Sequence, residues 1–303
     1  MQHNIYIIGA GAIGKALAVF LTLAGKQVTL LRGSVDDGDS YTETMQVVRE
    51  DGSLLEASIE VSTLSNFDIL DGIIVLTNKS YGNHNIAAAL KGKTALSPIV
   101  ILQNGLGIER EFIDNGFTVY RCVLFVTSQA IANNQIRFKP VSVCPIGAIN
   151  GDDAMLNTIV ENLSTPYFSF KTEASIQTIT WKKAIINCVF NSVCPLLDID
   201  NGVFHREEKA LAIARRVIAE CITVAAKQGV ALHPQDLEEG LLTISKMSDG
   251  QAISTLQDIR NKRETEIDTL NFAIAAVAGE DNIEIKETSL LGELTKLKSI
   301  LHR

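Results

Sequence analysis

The chain has 303 residues, 46% of them hydrophobic, enough for two domains with cores of useful size. Its formal net charge is -8 and its isoelectric point lies near 5.2. That balance excludes a nucleic-acid surface, which needs a concentrated positive field, and no Lys/Arg-rich block supplies one.

No charged leader precedes a cleavable apolar core, and no apolar run reaches the roughly 18 residues of a membrane span. The expectation is a cytoplasmic protein with no membrane partner. Cys122, Cys144, Cys188, Cys194 and Cys221 are widely spaced and mostly flanked by apolar residues. They are expected to be reduced core cysteines, and with no Cys-x-x-Cys and no His cluster nearby, no metal is expected.

The chain begins with an apolar run, Ile5 to Ile8, that enters Gly9-Ala10-Gly11-Ala12-Ile13-Gly14 and then an apolar segment of helical character, Lys15 to Ala24. Strand, glycine turn and helix in that order form the context a G-x-G-x-x-G spacing requires. Gly9 permits the turn, Gly11 lets a pyrophosphate approach the backbone, and Gly14 lets helix and strand pack closely. The first helical N–H groups, around Ala12 and Ile13, face the phosphates. Gly25 then ends the helix before a second strand, Gln27 to Leu31. At its end, where an acidic residue would hold the ribose hydroxyls of NAD, the chain has Arg32-Gly33-Ser34. A guanidinium there suits the 2′-phosphate of NADP; the plainer alternative is a solvated arginine at a strand end.

Val35 to Thr44 is acidic and polar, an expected loop. Met45 to Val48 and Leu54 to Val61 flank Asp51-Gly52 as a hairpin. Buried strands follow at Gly72 to Thr77 and Ile99 to Leu102, the first leading to Lys79 and the second to Gln103-Asn104-Gly105-Leu106-Gly107, with helices expected at Asn85 to Leu90 and Ile108 to Ile113. In an open parallel sheet ligands bind beyond the C-terminal strand ends, so Lys79 and Asn104 are placed on the side of the glycine turn. Residues 117 to 149 read as β-rich, with a turn at Asn133-Asn134 between Phe117 to Thr127 and Gln135 to Val143. A helix at Asp152 to Asn162 and a short strand at Pro166 to Phe170 close this part.

From about Ser175 the apolar period becomes helical, over Ile176 to Leu197, Arg206 to Gln228, Pro234 to Met247, Ile253 to Val277 and Glu287 to Leu301. The predicted architecture is a Rossmann-type α/β domain at 1–171 followed by an all-helical domain at 172–303. Within the first of these helices Lys183, Asn187 and Asn191 fall at i, i+4 and i+8, one polar stripe among Ile, Val, Phe and Cys. A solvated face is the plain alternative, but such a stripe suits the lining of a cleft. Ser254 to Asp268 is dense in charge and reads as helix surface with ion pairs.

These segments together resemble the ketopantoate reductases (2-dehydropantoate 2-reductases) over nearly the whole length. The likeness lies in the G-x-G-x-x-G turn, Lys79, Gln103 to Gly107, the Lys-x3-Asn-x3-Asn helix, and Ser254-x2-Gln-Asp followed by Thr265-Glu266-Ile267-Asp268. The resemblance implies a Rossmann domain joined to a helical domain like the C-terminal domain of 6-phosphogluconate dehydrogenase. It also implies NADPH-dependent reduction of 2-dehydropantoate to (R)-pantoate, on the way to pantothenate and coenzyme A. By position Lys183 becomes the general acid and Glu266 orients the substrate. Asn187, Asn191, Ser254 and Asn104 bind the substrate's polar groups, while Lys79 and Asn104 contact the cofactor.

The chain departs from the family pattern in four places. Phe272 stands where a glycine is common and Thr255 where a methionine is, Thr-Pro is absent around Ile285 to Thr288, and the loop after the second strand is one residue shorter. Two rival readings remain: a reductase of another branched 2-oxo acid, and a non-catalytic dinucleotide sensor, against which the Lys183 stripe argues. An apolar helix face can serve a core or a homodimer, and the sequence leaves both open.

Overall fold

The computed structural model describes residues 3–94 and 96–303. The chain separates into two compact units: one holds the residues up to Gln103 with Ile108–Ile176, the other Asn104–Gly107 with Gln177–Arg303. Among the described residues no helix is long and apolar enough to cross a membrane.

The first unit opens with β1 (Asn4–Ile8), α1 (Ala12–Leu23), β2 (Val28–Leu31) and the hairpin of β3 (Tyr41–Val48) and β4 (Leu54–Ser62). Then come β5 (Gly72–Leu76), α2 (Asn83–Leu90), β6 (Ile99–Ile101), α3 (Arg110–Asp114) and β7 (Val119–Cys122). It closes with β8 (Val126–Ala132), β9 (Gln135–Pro140), β10 (Cys144–Ala148), α4 (Asp153–Leu163) and β11 (Phe170–Thr172). The strands form one mixed sheet in the order β11-β10-β7-β6-β5-β1-β2-β4-β3-β9-β8. Its centre, from β7 to β4, is parallel throughout.

The unbroken apolar run of β1 has a physical cause. Successive strand residues point to opposite faces, and both faces here are covered. Ile5 and Ile7 enter one core with Leu17 and Phe20 of α1, while Tyr6 and Ile8 enter the other with Ile86, Leu90 and Phe112. β5 divides in the same way, Ile73 and Val75 to the first face and Ile74 and Leu76 to the second. Gly25 ends α1 at φ 75°, with its N–H donating to the Thr22 carbonyl at 2.9 Å.

Three expectations are corrected here. β3 begins at Tyr41, inside the stretch read as a loop, because its whole length pairs with β4 from Tyr41–Val61 to Val48–Leu54; ladder bonds, not apolar alternation, define its exposed half. β8 is a separate strand from β7. The last strand starts at Phe170, since Thr165 ties residues 165–168 into a turn, its Oγ1 accepting from the Phe168 N–H at 3.0 Å.

The second unit contains α5 (Ile176–Leu197), α6 (Val203–Arg206), α7 (Glu208–Lys227), α8 (Pro234–Met247), α9 (Ser254–Arg260), α10 (Asn271–Glu280) and α11 (Lys286–Leu301), and no strand among the described residues. Its core joins Ile185, Val189 and Phe190 of α5 to Val217 and Val224 of α7, Leu237 and Leu241 of α8, and Ile274 of α10. The helix expected from Arg206 starts at Glu208, after the short α6.

The single helix expected over Ile253 to Val277 is broken in two. The chain leaves α9 at Arg260 and passes Lys262 at φ 56°. It then makes one 3-10 turn at Ile267–Thr269 before α10. Asp258 draws the chain back, its carboxylate 3.0 Å from the Arg263 guanidinium and its carbonyl accepting from the Arg263 N–H at 2.8 Å. This stretch is not mere charged surface, because Thr255, Asp258, Thr265 and Ile267 are buried.

All five cysteines are free and buried. Burial pushes the Cys194 and Cys221 thiols up to about 12, so neither is a thiolate at neutral pH. Phe190 meets the edge of Phe204 at 4.9 Å between ring centroids. Phe190→Ala is expected to cost about 3–5 kcal/mol, read as a lowered denaturation midpoint; a loss under about 1 kcal/mol would show that this core collapses around the gap.

Candidate active site

β1 lies between β5 and β2, and the helix that follows β1 lies on the face opposite the one that α2 covers. The strand order therefore reverses at β1 while the strands stay parallel, and such a switch point is where an open α/β sheet leaves a crevice beyond its C-terminal strand ends. Ile8 pairs with Leu76 and Leu31, so Gly9, Thr77 and Arg32 leave adjacent strands side by side. Gly9 has φ 118°, and a side-chain carbon there would lie 2.4 Å from the Asn78 nitrogen. At Gly14 it would lie 2.0 Å from the Gly9 carbonyl oxygen. Both glycines are required by the chain's own packing.

Gly11 is different. Nothing lies within 4 Å of the position its side-chain carbon would take. The space over Gly11 is open on the side where α1 begins, and no side chain caps that helix. Helix geometry leaves the N–H groups of its first turn, at Ala12, Ile13 and Gly14, without intrahelical carbonyls. This cradle fits a pyrophosphate. Thr77 fixes it from β5, its Oγ1 donating to the Gly9 carbonyl at 2.8 Å. Lys79 follows two residues later, half-buried, at the start of a short 3-10 turn. A separate cavity of about 490 Å³, lined by Tyr6, Thr29 and Glu60 among others, opens around the N-terminal ends of β1 and β2, away from the glycine turn.

The end of β2 holds an arrangement that local sequence reading missed. Arg32 makes a two-pronged ion pair with Asp37, with Nη1 at 3.0 Å from Oδ2 and Nη2 on Oδ1. Nη2 also donates to the Asp39 carbonyl at 3.0 Å, and the guanidinium sits 5.6 Å from the centre of the Tyr41 ring. The Arg32 hydrogen bonds hold the Asp37 carboxyl below the usual carboxylate range. Arg32 is therefore not a solvated arginine: a carboxylate occupies its fork as a phosphate would.

Asn104 groups with the helical unit. The turn it begins docks on the 3-10 turn that follows Glu266: the Leu106 N–H donates to the Thr269 carbonyl at 2.8 Å, and a side chain at Gly105 would meet Thr269 at 2.6 Å. Thr269 in turn bonds the Glu266 carbonyl through both N–H and Oγ1 at 3.1 Å. Asn104 and the half-buried Glu266 are thus held by one small node. Gln103, just before it, belongs to the first unit, where it exchanges two amide hydrogen bonds of 2.7 and 2.9 Å with buried Asn83.

On α5, Lys183 and Asn187 are half-buried and Asn191 is buried. Asn191 faces inward. Its Oδ1 accepts from Thr255 Oγ1 at 2.8 Å, Ser254 Oγ at 3.2 Å and the Thr255 N–H at 3.4 Å, while its Nδ2 donates to the Asn187 carbonyl at 3.0 Å. The expected substrate ligand is engaged in holding the start of α9, and it orients Ser254, whose own residue is exposed. Asn201, not singled out from the sequence, lies beside this region: its N–H donates to the Gln251 carbonyl at 2.9 Å, and its buried Oδ1 has no partner among the described residues.

Residues 5–151 match the model of ketopantoate reductase PanE/ApbA, and residues 175–299 match that of its C-terminal domain. The chain belongs to the ketopantoate reductase family. The 2-dehydropantoate 2-reductase of Pyrococcus horikoshii is 26% identical over 309 residues, covering 98% of each chain. Two solved structures share the fold at a TM-score of 0.84, each covering 99% of both chains: a PanE/ApbA family ketopantoate reductase from Ralstonia eutropha JMP134, 22% identical, and D-mandelate dehydrogenase with NADH and anilino(oxo)acetate, 21% identical.

Two departures from the family pattern acquire physical roles. The Thr255 hydroxyl is the shortest of the three donors on Asn191, and Phe272 packs at 3.7 Å from the position a side chain would take at Gly292 of α11. Asn191→Ala is expected to destabilise the protein by about 1–3 kcal/mol, because it leaves the buried Thr255 hydroxyl without its acceptor. Chemical denaturation reads this directly, and an unchanged midpoint would remove the Asn191 node from the account.

Proposed function

We propose that the protein reduces 2-dehydropantoate to (R)-pantoate with NADPH, as a cytoplasmic enzyme of pantothenate and coenzyme A synthesis. The first domain, 1–171, holds the dinucleotide and the second, 172–303, supplies the substrate and proton-transfer groups. The observation that carries this reading is the half-buried Lys183 and Asn187 on α5 of a ketopantoate reductase fold. A cofactor sensor has no need of an ammonium there.

Gly9 to Gly14, with the N–H groups of Ala12 and Ile13, hold the pyrophosphate; Lys79 and Asn104 contact the cofactor near its reacting end. Bound NADPH supplies the hydride. Lys183 donates a hydrogen bond to the carbonyl oxygen of the 2-oxo acid, stabilises the negative charge that grows there, and delivers the proton. Glu266 orients the substrate hydroxyl. Asn187, Asn104 and Ser254 fix its polar groups, and Asn191 contributes by holding Ser254 and the start of α9. Amides suit this task, since they orient a carboxylate or hydroxyl without adding charge.

The second reading is an NADH-dependent oxidoreductase of another branched 2-oxo acid. The Arg32–Asp37 pair favours it, because a carboxylate at the end of β2 both occupies the guanidinium and repels a 2′-phosphate. In the NADPH reading the phosphate displaces Asp37 from Arg32.

Three measurements separate these possibilities. With purified protein, loss of reduced-nicotinamide absorbance on adding 2-dehydropantoate is expected with NADPH and much less with NADH; binding of NADPH without turnover would transfer the reading to a different acid or a sensor. Lys183→Ala should lower kcat by about 10²-fold or more with NADPH binding intact, the usual size of a general-acid contribution, and unchanged turnover would remove Lys183 from the mechanism. Arg32→Ala should weaken NADPH more than NADH, and Asp37→Asn should strengthen NADPH. The opposite response at Asp37 would make that carboxylate a ribose ligand and the cofactor NADH.

A further inference from the structure

Asn83 opens α2 as a buried amide, 5% exposed, and its side chain makes every hydrogen bond that an amide can make. Its Oδ1 accepts from Gln103 Nε2 at 2.7 Å and from Asn78 Nδ2 at 3.2 Å. Its Nδ2 donates to Gln103 Oε1 at 2.9 Å and to the Ile108 carbonyl at 3.4 Å. The other Nδ2 hydrogen of Asn78 goes to the Lys79 carbonyl at 2.8 Å, which also accepts from the Gly82 N–H at 3.1 Å. Three amides therefore run past the ends of β5 and β6, inside the first unit, from the backbone of Lys79 to that of Ile108.

The order of donors along this chain of amides is fixed. A backbone carbonyl only accepts, so the Lys79 and Ile108 carbonyls at the two ends dictate which side of Asn78 and of Asn83 carries nitrogen. Apolar side chains would fill the same space without needing partners, and Asn78 Oδ1 is even left buried with no partner among the described residues. What the amides add is direction, since a bonded buried network permits few alternative arrangements of the segments it joins. Asn78 also stands against the glycine turn. Its N–H donates to the Ile8 carbonyl at 3.1 Å, and a side-chain carbon at Gly33 would lie 3.6 Å from Asn78 Cβ.

We propose, on the reading of Lys79 as a cofactor contact, that Asn83 is a positioning residue for the dinucleotide. It holds Asn78, and through Asn78 the Lys79 backbone, at the place from which Lys79 meets the bound cofactor beside the Gly9 to Gly14 turn. Asn83 lies beneath the surface and acts only through its neighbours.

Asn83→Asp keeps the volume and changes one donor group. A carboxylate there faces an acceptor on Gln103 whichever way that amide turns, and faces the Ile108 carbonyl as well, whereas a carboxylic acid regains a donor. Burial pushes such a carboxyl up, so lowering the pH restores the bond and raising it removes the bond. NADPH and NADH are titrated by their nicotinamide fluorescence. At about pH 8 the variant's dissociation constant should exceed that of the wild type by about ten-fold or more, and the ratio should fall towards one as the pH is lowered to about 5.5. Taking the ratio to wild type cancels titration of the cofactor's own phosphate. Gln103→Glu puts the carboxyl on the other side of the same pair and should show the same recovery in acid, which keeps the test intact if the first variant fails to fold. A thermal melt without cofactor is recorded beside each titration. A network that merely supports the fold would lower the melt of Asn83→Asp and leave its affinity equal to the wild type at every pH; that result overturns the proposal alone, as does a weakening that acid does not relieve. Wild-type protein that binds neither dinucleotide overturns it together with the cofactor reading of Lys79.

Discussion

The first unit depends on the close approach of β1's end to α1 and β5. Gly9 stands so near the Asn78 backbone, and Gly14 so near the Gly9 carbonyl, that any side-chain carbon would overlap backbone atoms. That contact turns the chain sharply out of the sheet and points the first turn of α1 back across the strand ends. Thr77 locks the turn from the neighbouring strand. Gly11 then has a different status from its neighbours, because among the described residues nothing lies within 4 Å of the position its side-chain carbon would take. Packing explains two of the three glycines, and the third stands beside open space.

The second unit is organised by polar side chains placed where apolar ones would have been simpler. Asn191 gathers three donors from α9 onto one buried oxygen, and Asp258 returns the chain through Arg263 towards the turn that carries Glu266. Each buried polar atom is costly unless bonded, so such nodes permit few alternative arrangements of the segments they join. Ser254 and Glu266 are thereby held on short, irregular pieces, while Lys183 and Asn187 stand on the long rigid α5. Along the polar stripe of that helix Lys183 and Asn187 are half-buried, and Asn191 holds the start of α9.

Charge pairing redirects two other parts of the chain. Arg32, at the end of β2, is read locally as a phosphate ligand, yet its fork is filled by Asp37 from five residues on. The pair leaves the guanidinium engaged by a carboxylate of the chain itself. At α11 the inner face is held by Glu220 and by small residues, and Leu290, Leu294, Leu297 and Leu301 lie exposed. The helix is amphipathic in the reverse sense of an ordinary surface helix.

The sequence by itself determined the strand, turn and helix around Gly9 to Gly14, the central parallel strands and the change to helices near Ser175. Those features are local, being set by apolar period and by glycine spacing, and family resemblance rests on them as well. Tertiary structure decided the rest. Ladder bonds extended β3 into polar sequence, Asp258 and Arg263 broke an apparent long helix, and Asn191 was bonded to the start of α9. In each case the deciding partner lies on another strand, on a distant helix or across a turn, and period along the chain carries no information about such partners.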